Sequence, residues 1–144
     1  MKKPLIEVSE RTLRTALKKC GMPPSAIRVV VERRPFADDA ALCSAVDHAM
    51  LSLEHAELVA ALETEPEPEV EQGDADVLAA ARLALRLYRD RFGYPYVSSI
   101  AAPTADELLM RVRIRLGNEP VPEGRAAREH LRRLVRARLQ PQLR

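Results

Sequence analysis

Residues 88–97, with the sequence YRDRFGYPYV, contain the point at which a long helix gives way to an extended segment, and this change decides the fold. Apolar residues recur at helical spacing upstream, from Val77 onwards, and predict a long helix that begins at about Asp74. Gly93 predicts the end of that helix, because glycine readily adopts the left-handed conformation that closes helices. The segment that follows, 94–100, contains a proline and is too short for a helix, so we expect it to be extended and buried.

Helix signals surround this stretch on both sides. Capping residues, prolines and glycines divide the rest of the chain into segments with apolar residues at helical spacing. The exception is the loop 63–73, ETEPEPEVEQG, whose two prolines among five glutamates are incompatible with a helix interior. The other helices are expected after Ser9 up to Gly21, from Pro23 up to Pro35, after Asp38 through Met50, over Leu53–Leu62, after Thr104 up to Gly117, and after Pro122 through Leu139. The sequence thus predicts an all-α fold of about seven helices, in a single compact domain over 1–144.

The composition agrees with a helical domain. The chain has 144 residues, of which 47% are hydrophobic and 31% charged, as is typical of globular proteins. Five glycines, no tryptophan and 3% aromatic residues disfavour an all-β sandwich or a glycine-rich nucleotide-binding fold. No uncharged apolar run approaches the roughly 20 residues of a membrane span, and the first residues contain no apolar signal core. We therefore expect a cytoplasmic protein without a membrane partner.

The cysteines and histidines do not predict a metal site. Cys20 and Cys43 are the two cysteines, and His48, His55 and His130 are the three histidines. Their positions show none of the spacings of a four-ligand zinc site. Both thiols are predicted to be small buried side chains, and the histidines at 55 and 130 are predicted to lie on exposed helix faces.

The net charge of +2 conceals a block pattern. Residues 1–34 carry nine basic residues against three acidic ones, and residues 35–76 carry twelve acidic residues and no lysine or arginine. Residues 77–144 carry fourteen arginines against six acidic residues. Because these arginines fall at mixed helical phases, the pattern favours solvated helix faces over a nucleic-acid surface. We expect acidic and basic helices that neutralise each other, and no nucleic-acid partner.

The stretch at 88–97 resembles the signature of the OHCU decarboxylase family (2-oxo-4-hydroxy-4-carboxy-5-ureidoimidazoline decarboxylase), Y-x-x-K/R-F-G-F-x-F-I/V. Downstream, RLGNEP at 115–120 and ARL at 137–139 are similar to the family's R-L-x-N and closing L-R-L. Upstream, CG at 20–21 and RPFAD at 34–38 are similar to the family's C-G-S and R-P-F-A-D. These matches follow the family's order over nearly the whole chain and imply its all-α fold.

The resemblance implies a decarboxylase of purine catabolism. Family members complete the route from urate to (S)-allantoin by removing CO2 without a cofactor, because the substrate ring's conjugated C=N and C=O groups hold the remaining electron pair. The protein positions the carboxylate, stabilises the developing negative charge and delivers one proton to one face. The family uses a His-Pro pair as acid/base, a Glu-Gln pair for the ureide, backbone groups after its F-G-F segment, and the arginine of L-R-L.

A glutamate stands where the family has its catalytic histidine. Counted without gaps, His-Pro falls on Glu65 and Pro66, so the resemblance implies that Glu65 is the acid/base and Pro66 lies beside the substrate. The alternative is His55, which would require a deletion inside a helix and is followed by Ala56 rather than proline. An ionised Glu65 would repel a substrate carboxylate, whereas a neutral carboxyl in a dry pocket can donate a proton. The other interpretation of Glu65 is a solvated glutamate in an acidic loop.

The implied substrate-binding residues lie in the acidic loop, the extended segment and the last helix. Glu71 and Gln72 would bind the ureide, and Arg138 would pair with a carboxylate or carbonyl through its planar guanidinium. Backbone groups of the extended segment need partners that a polar planar ligand can supply. The residues of that segment are Val97, Ser98, Ser99, Ile100 and Ala101.

The sequence favours a cofactor-independent, decarboxylase-like enzyme that acts on a small polar, nitrogen-rich carboxylate or ureide. The change at Glu65 and a shortened loop favour a substrate or reaction other than the family's, as in a biosynthetic pathway of specialised metabolism. The alternative is a non-catalytic helical binding module, and a third hypothesis is an arginine-rich nucleic-acid binder. A polar pocket that holds Glu65 near Arg138 would favour the enzyme, and a closed pocket would favour the module. The resemblance also implies a homodimer.

Overall fold

The computed structural model describes residues 3–70 and 72–143. In this part of the chain there are seven α-helices. They are α1 (Glu10–Lys19), α2 (Pro24–Val31), α3 (Asp39–Leu51), α4 (His55–Glu63), α5 (Ala75–Phe92), α6 (Ala105–Leu116) and α7 (Pro120–Leu139), followed by a 3₁₀ helix (Gln140–Gln142). The prediction of an all-α fold with about seven helices is confirmed.

The predicted capping residues set most of the helix starts. The side-chain oxygens of Ser9, Asp38 and Thr104 each accept a hydrogen bond from the backbone N–H three residues later. Asp74 caps α5 in the same way, two residues later. Each cap satisfies a donor that the first helical turn leaves without a partner. Gly93 ends α5 with φ +81°, as the sequence predicts.

Two helix starts differ from the prediction. Helix α4 begins at His55, two residues later than expected, because Glu54 is still extended and takes the N-cap position. Helix α7 begins at Pro120 rather than after Pro122. A proline in the first turn removes no intrahelical hydrogen bond, so both prolines are accommodated there.

Helices α5 and α6 lie side by side and point in the same direction. At one end, the backbone N–H of Ala105 donates to the carbonyl of Gln72 over 3.2 Å. At the other end, Nη2 of Arg91 donates to the carbonyl of Asn118 over 2.8 Å. The connection 93–104 therefore runs back along α5, whose 18 residues span about 27 Å. A helix of the connection's length would reach only about 18 Å, which is why this segment must be extended.

The helices share one hydrophobic core, and their charges pair at its edge. Cys20 and Cys43 are buried free thiols, as expected. Asp47 of the acidic α3 accepts hydrogen bonds from Arg132 (3.1 Å) and Arg136 (2.6 Å) of the basic α7. The expected neutralisation between oppositely charged helices is thus present. None of the described helices has the length and apolar character needed to cross a membrane.

Candidate active site

A buried ion pair holds the extended segment in place. The Glu123 carboxylate on α7 is fully buried and accepts hydrogen bonds from Arg115 Nε (2.8 Å) and Asn118 Nδ2 (2.9 Å). Nη1 of Arg115 also donates to the carbonyl of Val97 over 2.5 Å, which ties the segment to α6 and α7. The hydroxyl of Tyr88 donates to the same Glu123 carboxylate.

This network gives a structural role to two residues of the 88–97 signature, Tyr88 and Tyr96. The Arg115 guanidinium lies 4.6 Å from the ring centroid of Tyr96 and 5.5 Å from that of Tyr88, so aromatic rings cover its charge. Burial raises the pKa of the Tyr88 hydroxyl, which keeps its proton and remains a donor. Tyr88 of the 88–97 signature and Arg115 of the RLGNEP stretch therefore help to fix the backbone at 94–97.

Glu65 and Arg138 form a two-pronged ion pair. Arg138, on α7, donates from Nη2 to Oε1 of Glu65 over 2.5 Å and from Nη1 to Oε2 over 2.9 Å. The Glu65 side chain is 5% exposed and that of Arg138 is 36% exposed, so the arginine is the more exposed partner. The hydrogen bonds that Arg138 donates to Glu65 raise the pKa of Arg138. Two charges that lie far apart in the sequence thus neutralise each other.

The Glu65–Arg138 pair borders a cavity of about 440 Å³. The loop that follows Glu65 forms one wall, and the extended segment forms the other. A cavity of this size suits a small molecule. The lining residues are Glu65, Pro66, Glu67, Pro68, Glu69, Val70, Tyr96, Val97, Ser98, Ile100, Ala101, Ala102, Pro103, Leu108, Leu134 and Arg138.

The structure brings most of the predicted site residues to this cavity. Those that line it are Glu65, Pro66, Val97, Ser98, Ile100, Ala101 and Arg138. Ser99 does not line it, because its backbone N–H and hydroxyl face α7 instead. Gln72 is exposed, and its carbonyl receives the first N–H of α6. Glu71 lies outside the described residues.

His130 is half-buried, whereas the sequence predicted an exposed histidine. Its Nδ1 accepts a hydrogen bond from the Ser99 N–H over 3.0 Å and lies 3.0 Å from the Ser99 hydroxyl. Because a backbone N–H can only donate, Nδ1 carries no proton and the imidazole is neutral. Burial, together with the charges of Arg115 and Arg133, lowers the pKa of His130 to about 4. The histidine therefore anchors the extended segment from behind.

His55 does not line the cavity. It is the first residue of α4, and the edge of its ring faces Tyr94, with ring centroids 6.2 Å apart. Of the two residues considered for the catalytic position, the structure therefore places Glu65 beside Arg138 and the cavity, and not His55.

Sequence reasoning missed two contributors to the site. Cys20 and Gly21, noticed only as a short motif, pack against the Glu65–Arg138 pair: the carbonyl of Cys20 accepts a hydrogen bond from Nη1 of Arg138 over 3.1 Å. Tyr96, which is not among the predicted site residues, also lines the cavity. The available signal for the first was the position of a glycine directly after a helix.

The fold and the site define an all-α protein with a small pocket bordered by a carboxylate–guanidinium pair. The family model for OHCU decarboxylase matches residues 68–140, just over half of the chain. The chain belongs to the OHCU decarboxylase family. The match begins after Glu65 and Pro66, so it includes Arg138 and the extended segment but neither Glu65 nor His55, the two residues considered for the catalytic position.

Two known proteins show how far the similarity extends. The 2-oxo-4-hydroxy-4-carboxy-5-ureidoimidazoline decarboxylase of Amia calva is 40% identical over 53 residues, which is 37% of this chain and 30% of that protein. The crystal structure of (S)-allantoin synthase superposes with a TM-score of 0.79 at 16% identity, over 97% of this chain and 52% of that one. The second comparison shows the shared fold, and the chain spans about half the length of that structure.

Proposed function

We propose that the protein is a cofactor-independent, decarboxylase-like lyase that acts on a small polar, nitrogen-rich carboxylate or ureide. The observation that carries this proposal is the position of Glu65 and Arg138 on one cavity, opposite the extended segment. An acid/base group and a cation are two of the parts that decarboxylation with a self-stabilised carbanion requires. Membership of the OHCU decarboxylase family supports the same reaction class.

Arg138 contributes most to such a reaction if it binds the substrate oxygen on which negative charge accumulates. A guanidinium on the departing carboxylate would stabilise the ground state, which loses that charge as CO2 leaves. Bound to a ring carbonyl oxygen, it would stabilise the carbanion as it forms. In either case a substrate oxygen must take the place of Glu65, since both terminal nitrogens of Arg138 are bound to that carboxylate.

Glu65 can serve as the acid/base of this reaction once a substrate oxygen displaces it from Arg138. Its side chain is 5% exposed, and a substrate carboxylate beside it would be a like charge in a poorly hydrated site. Decarboxylation consumes one proton, which Glu65 takes up from solvent as the substrate binds and then holds next to the ring carbon. The C–C bond to the carboxylate then breaks, CO2 leaves, and the electron pair stays on the ring carbon. The proton of Glu65 forms the new C–H bond, and the resulting carboxylate pairs with Arg138 again.

The test is turnover of OHCU, generated in place from urate, followed by circular dichroism of (S)-allantoin against the spontaneous racemic decay. Glu65→His restores the family's residue at this position, and Arg138→Met removes the cation. Faster and stereospecific product formation by the unmodified protein, lost in Arg138→Met, would support the family reaction in this pocket. No acceleration by the unmodified protein together with a gain in Glu65→His would support a pocket with a different substrate.

One observation favours the second candidate, a non-catalytic binding module. Glu65 already satisfies both terminal nitrogens of Arg138, as a structural ion pair would. If the protein is a non-catalytic binding module, neither the unmodified protein nor Glu65→His would accelerate the turnover of OHCU. It would instead show a ligand-dependent rise in melting temperature with a ureide or carboxylate, because a ligand that binds only the folded state stabilises it.

A further inference from the structure

We propose that the corner formed by Cys20 and Gly21, where the chain leaves α1, positions the Arg138 guanidinium at the cavity. The corner holds Nη1 of Arg138 through the Cys20 carbonyl, and this contact does not involve Glu65. That Arg138 is held in this way follows from the geometry alone. The consequence for a ligand rests on the proposed function.

Gly21 leaves the space that the guanidinium occupies. Its φ is +94°, and a Cβ built on it would lie 2.7 Å from Nη1 of Arg138 and 3.2 Å from Oε2 of Glu65. Real Cβ atoms essentially never approach a neighbour as closely as 2.7 Å. Any side chain at position 21 would therefore displace the end of the arginine.

The far side of the corner is also closed. Cys20 is fully buried, and Nε2 of Gln142 lies 3.3 Å from its Sγ and 3.3 Å from the carbonyl of Arg138. Gln142 thus connects the end of α1 to the end of α7. Because two elements are fixed to each other at this point, the Cys20 carbonyl is a stationary acceptor for the guanidinium.

The corner would keep Arg138 directed at the cavity when a ligand displaces Glu65. Nη1 would retain its bond to Cys20 while Nη2 becomes free for the ligand. A flexible arginine loses rotamer freedom when it binds, and a fixed acceptor removes part of that cost beforehand. Gly21 is therefore a positioning residue for ligand binding, not a catalytic one.

The test compares Gly21→Ala with Gly93→Ala. Gly93 is a matched control, since its φ is +81° but nothing lies within 4 Å of a Cβ built there. Both substitutions introduce a similar backbone strain, and only the first displaces Arg138. We expect the melting temperature to fall about 3–5 °C further in Gly21→Ala than in Gly93→Ala. In an Arg138→Met background this additional loss should shrink by at least half, because the displaced group is gone.

Equal losses for the two glycines, or a loss at Gly21 that stays the same without Arg138, would overturn the proposal. If Gly21→Ala alone does not fold, recovery of a cooperative transition in Gly21→Ala/Arg138→Met supports it, and a double variant that also fails to fold contradicts it. The Nε–Hε NMR signal of Arg138 provides a direct readout: it should shift in Gly21→Ala and stay in place in Gly93→Ala.

The ligand consequence is measured separately, with OHCU turnover. If the protein is active, Gly21→Ala should raise KM several-fold with a smaller change in kcat, and Gly93→Ala should leave KM unchanged. An unchanged KM in Gly21→Ala would contradict the positioning role. If neither the unmodified protein nor Glu65→His turns over OHCU, the proposed function fails, while the thermal comparison and the NMR signal still decide whether the corner holds Arg138.

Discussion

Arg138 binds both carboxylate oxygens of Glu65, so the cation best placed to hold a substrate oxygen is occupied by the protein's own carboxylate. The two partners are unequally exposed, at 36% for Arg138 and 5% for Glu65. Substitution of Arg138 leaves the Glu65 carboxylate nearly buried without a counter-charge. Substitution of Glu65 leaves the more exposed guanidinium of Arg138. The energetic consequences of the two removals should therefore differ.

We expect Arg138→Met to destabilise the fold more than Glu65→Gln. Without Arg138, a nearly buried carboxylate loses its counter-charge, which should cost about 2–3 kcal/mol of the free energy of unfolding. Without the charge of Glu65, the guanidinium keeps its bond to Cys20 and can reach water, so the cost should be about 1 kcal/mol. Urea unfolding of the two variants at pH 7 measures the difference. Equal costs would show that Glu65 reaches solvent as readily as Arg138.

The buried Arg115–Glu123 pair should be essential for the extended segment. Glu123→Gln weakens the hydrogen bonds that hold Arg115, which in turn holds Val97, and should cost about 3 kcal/mol. Hydrogen exchange over 97–100 should accelerate at the same time. Arg113→Met, at an exposed position of α6, the helix that carries Arg115, is the control and should change stability by less than about 0.5 kcal/mol. Normal exchange in Glu123→Gln would show that other contacts hold the segment.

Two buried tyrosines should respond differently to the loss of their hydroxyl groups. In Tyr88→Phe, Glu123 and Arg115 each lose a hydrogen-bond partner, so we expect a loss of about 1–2 kcal/mol. The Tyr94 hydroxyl is buried and has no hydrogen-bond partner among the described residues. Tyr94→Phe removes that uncompensated group and should be neutral or slightly stabilising. Thermal unfolding of the two variants tests this contrast, which a destabilised Tyr94→Phe would contradict.

The stability of the fold should decrease as the pH decreases, and His130 should account for part of this loss. Its pKa in the folded state is about 4, below the ordinary value of 6.5. The unfolded chain therefore takes up the proton first as the pH falls. The contribution of neutral His130 is complete above about pH 6.5 and is lost between that pH and about 4. Because the ring is only half-buried, we expect a loss on the order of 1 kcal/mol.

The variant His130→Gln isolates this contribution, because glutamine does not titrate. The difference in melting temperature between the unmodified protein and the variant should narrow from pH 7 to pH 4.5, whereas carboxylate titrations affect both proteins equally. A difference that stays constant over this range would show that His130 is protonated as easily in the folded protein as in the unfolded one.

Local signals determined most of the fold. Ser9, Asp38 and Thr104 cap helices where the sequence placed them, since capping depends on a side chain and a backbone N–H only a few residues apart. The start of α7 was misplaced because Pro120 and Pro122 are equally suitable for a first turn, and local chemistry does not distinguish them. The extended segment was predicted from its composition, but its direction along α5 was not.

The site was predicted in part, and the differences between the predicted and the observed site have one physical cause. The resemblance matched Glu65 to the family's catalytic histidine and Arg138 to the arginine of its L-R-L motif. It did not reveal that the two side chains bind each other. Ser99 and His130 were likewise considered separately, although the structure joins them. The partner of a side chain depends on how the helices pack. A single sequence contains no signal that two residues distant in the chain are in contact.

The amino-acid sequence by itself determined the helical class, most helix boundaries, the extended segment and the family resemblance. These follow from periodicity, capping and short motifs, which act over a few residues. The tertiary structure alone decided that Glu65 neutralises Arg138, that Gly21 makes room for the guanidinium, and that His130 anchors Ser99. Each of these contacts joins distant parts of the chain, and only the packing of the helices brings the atoms within hydrogen-bonding distance.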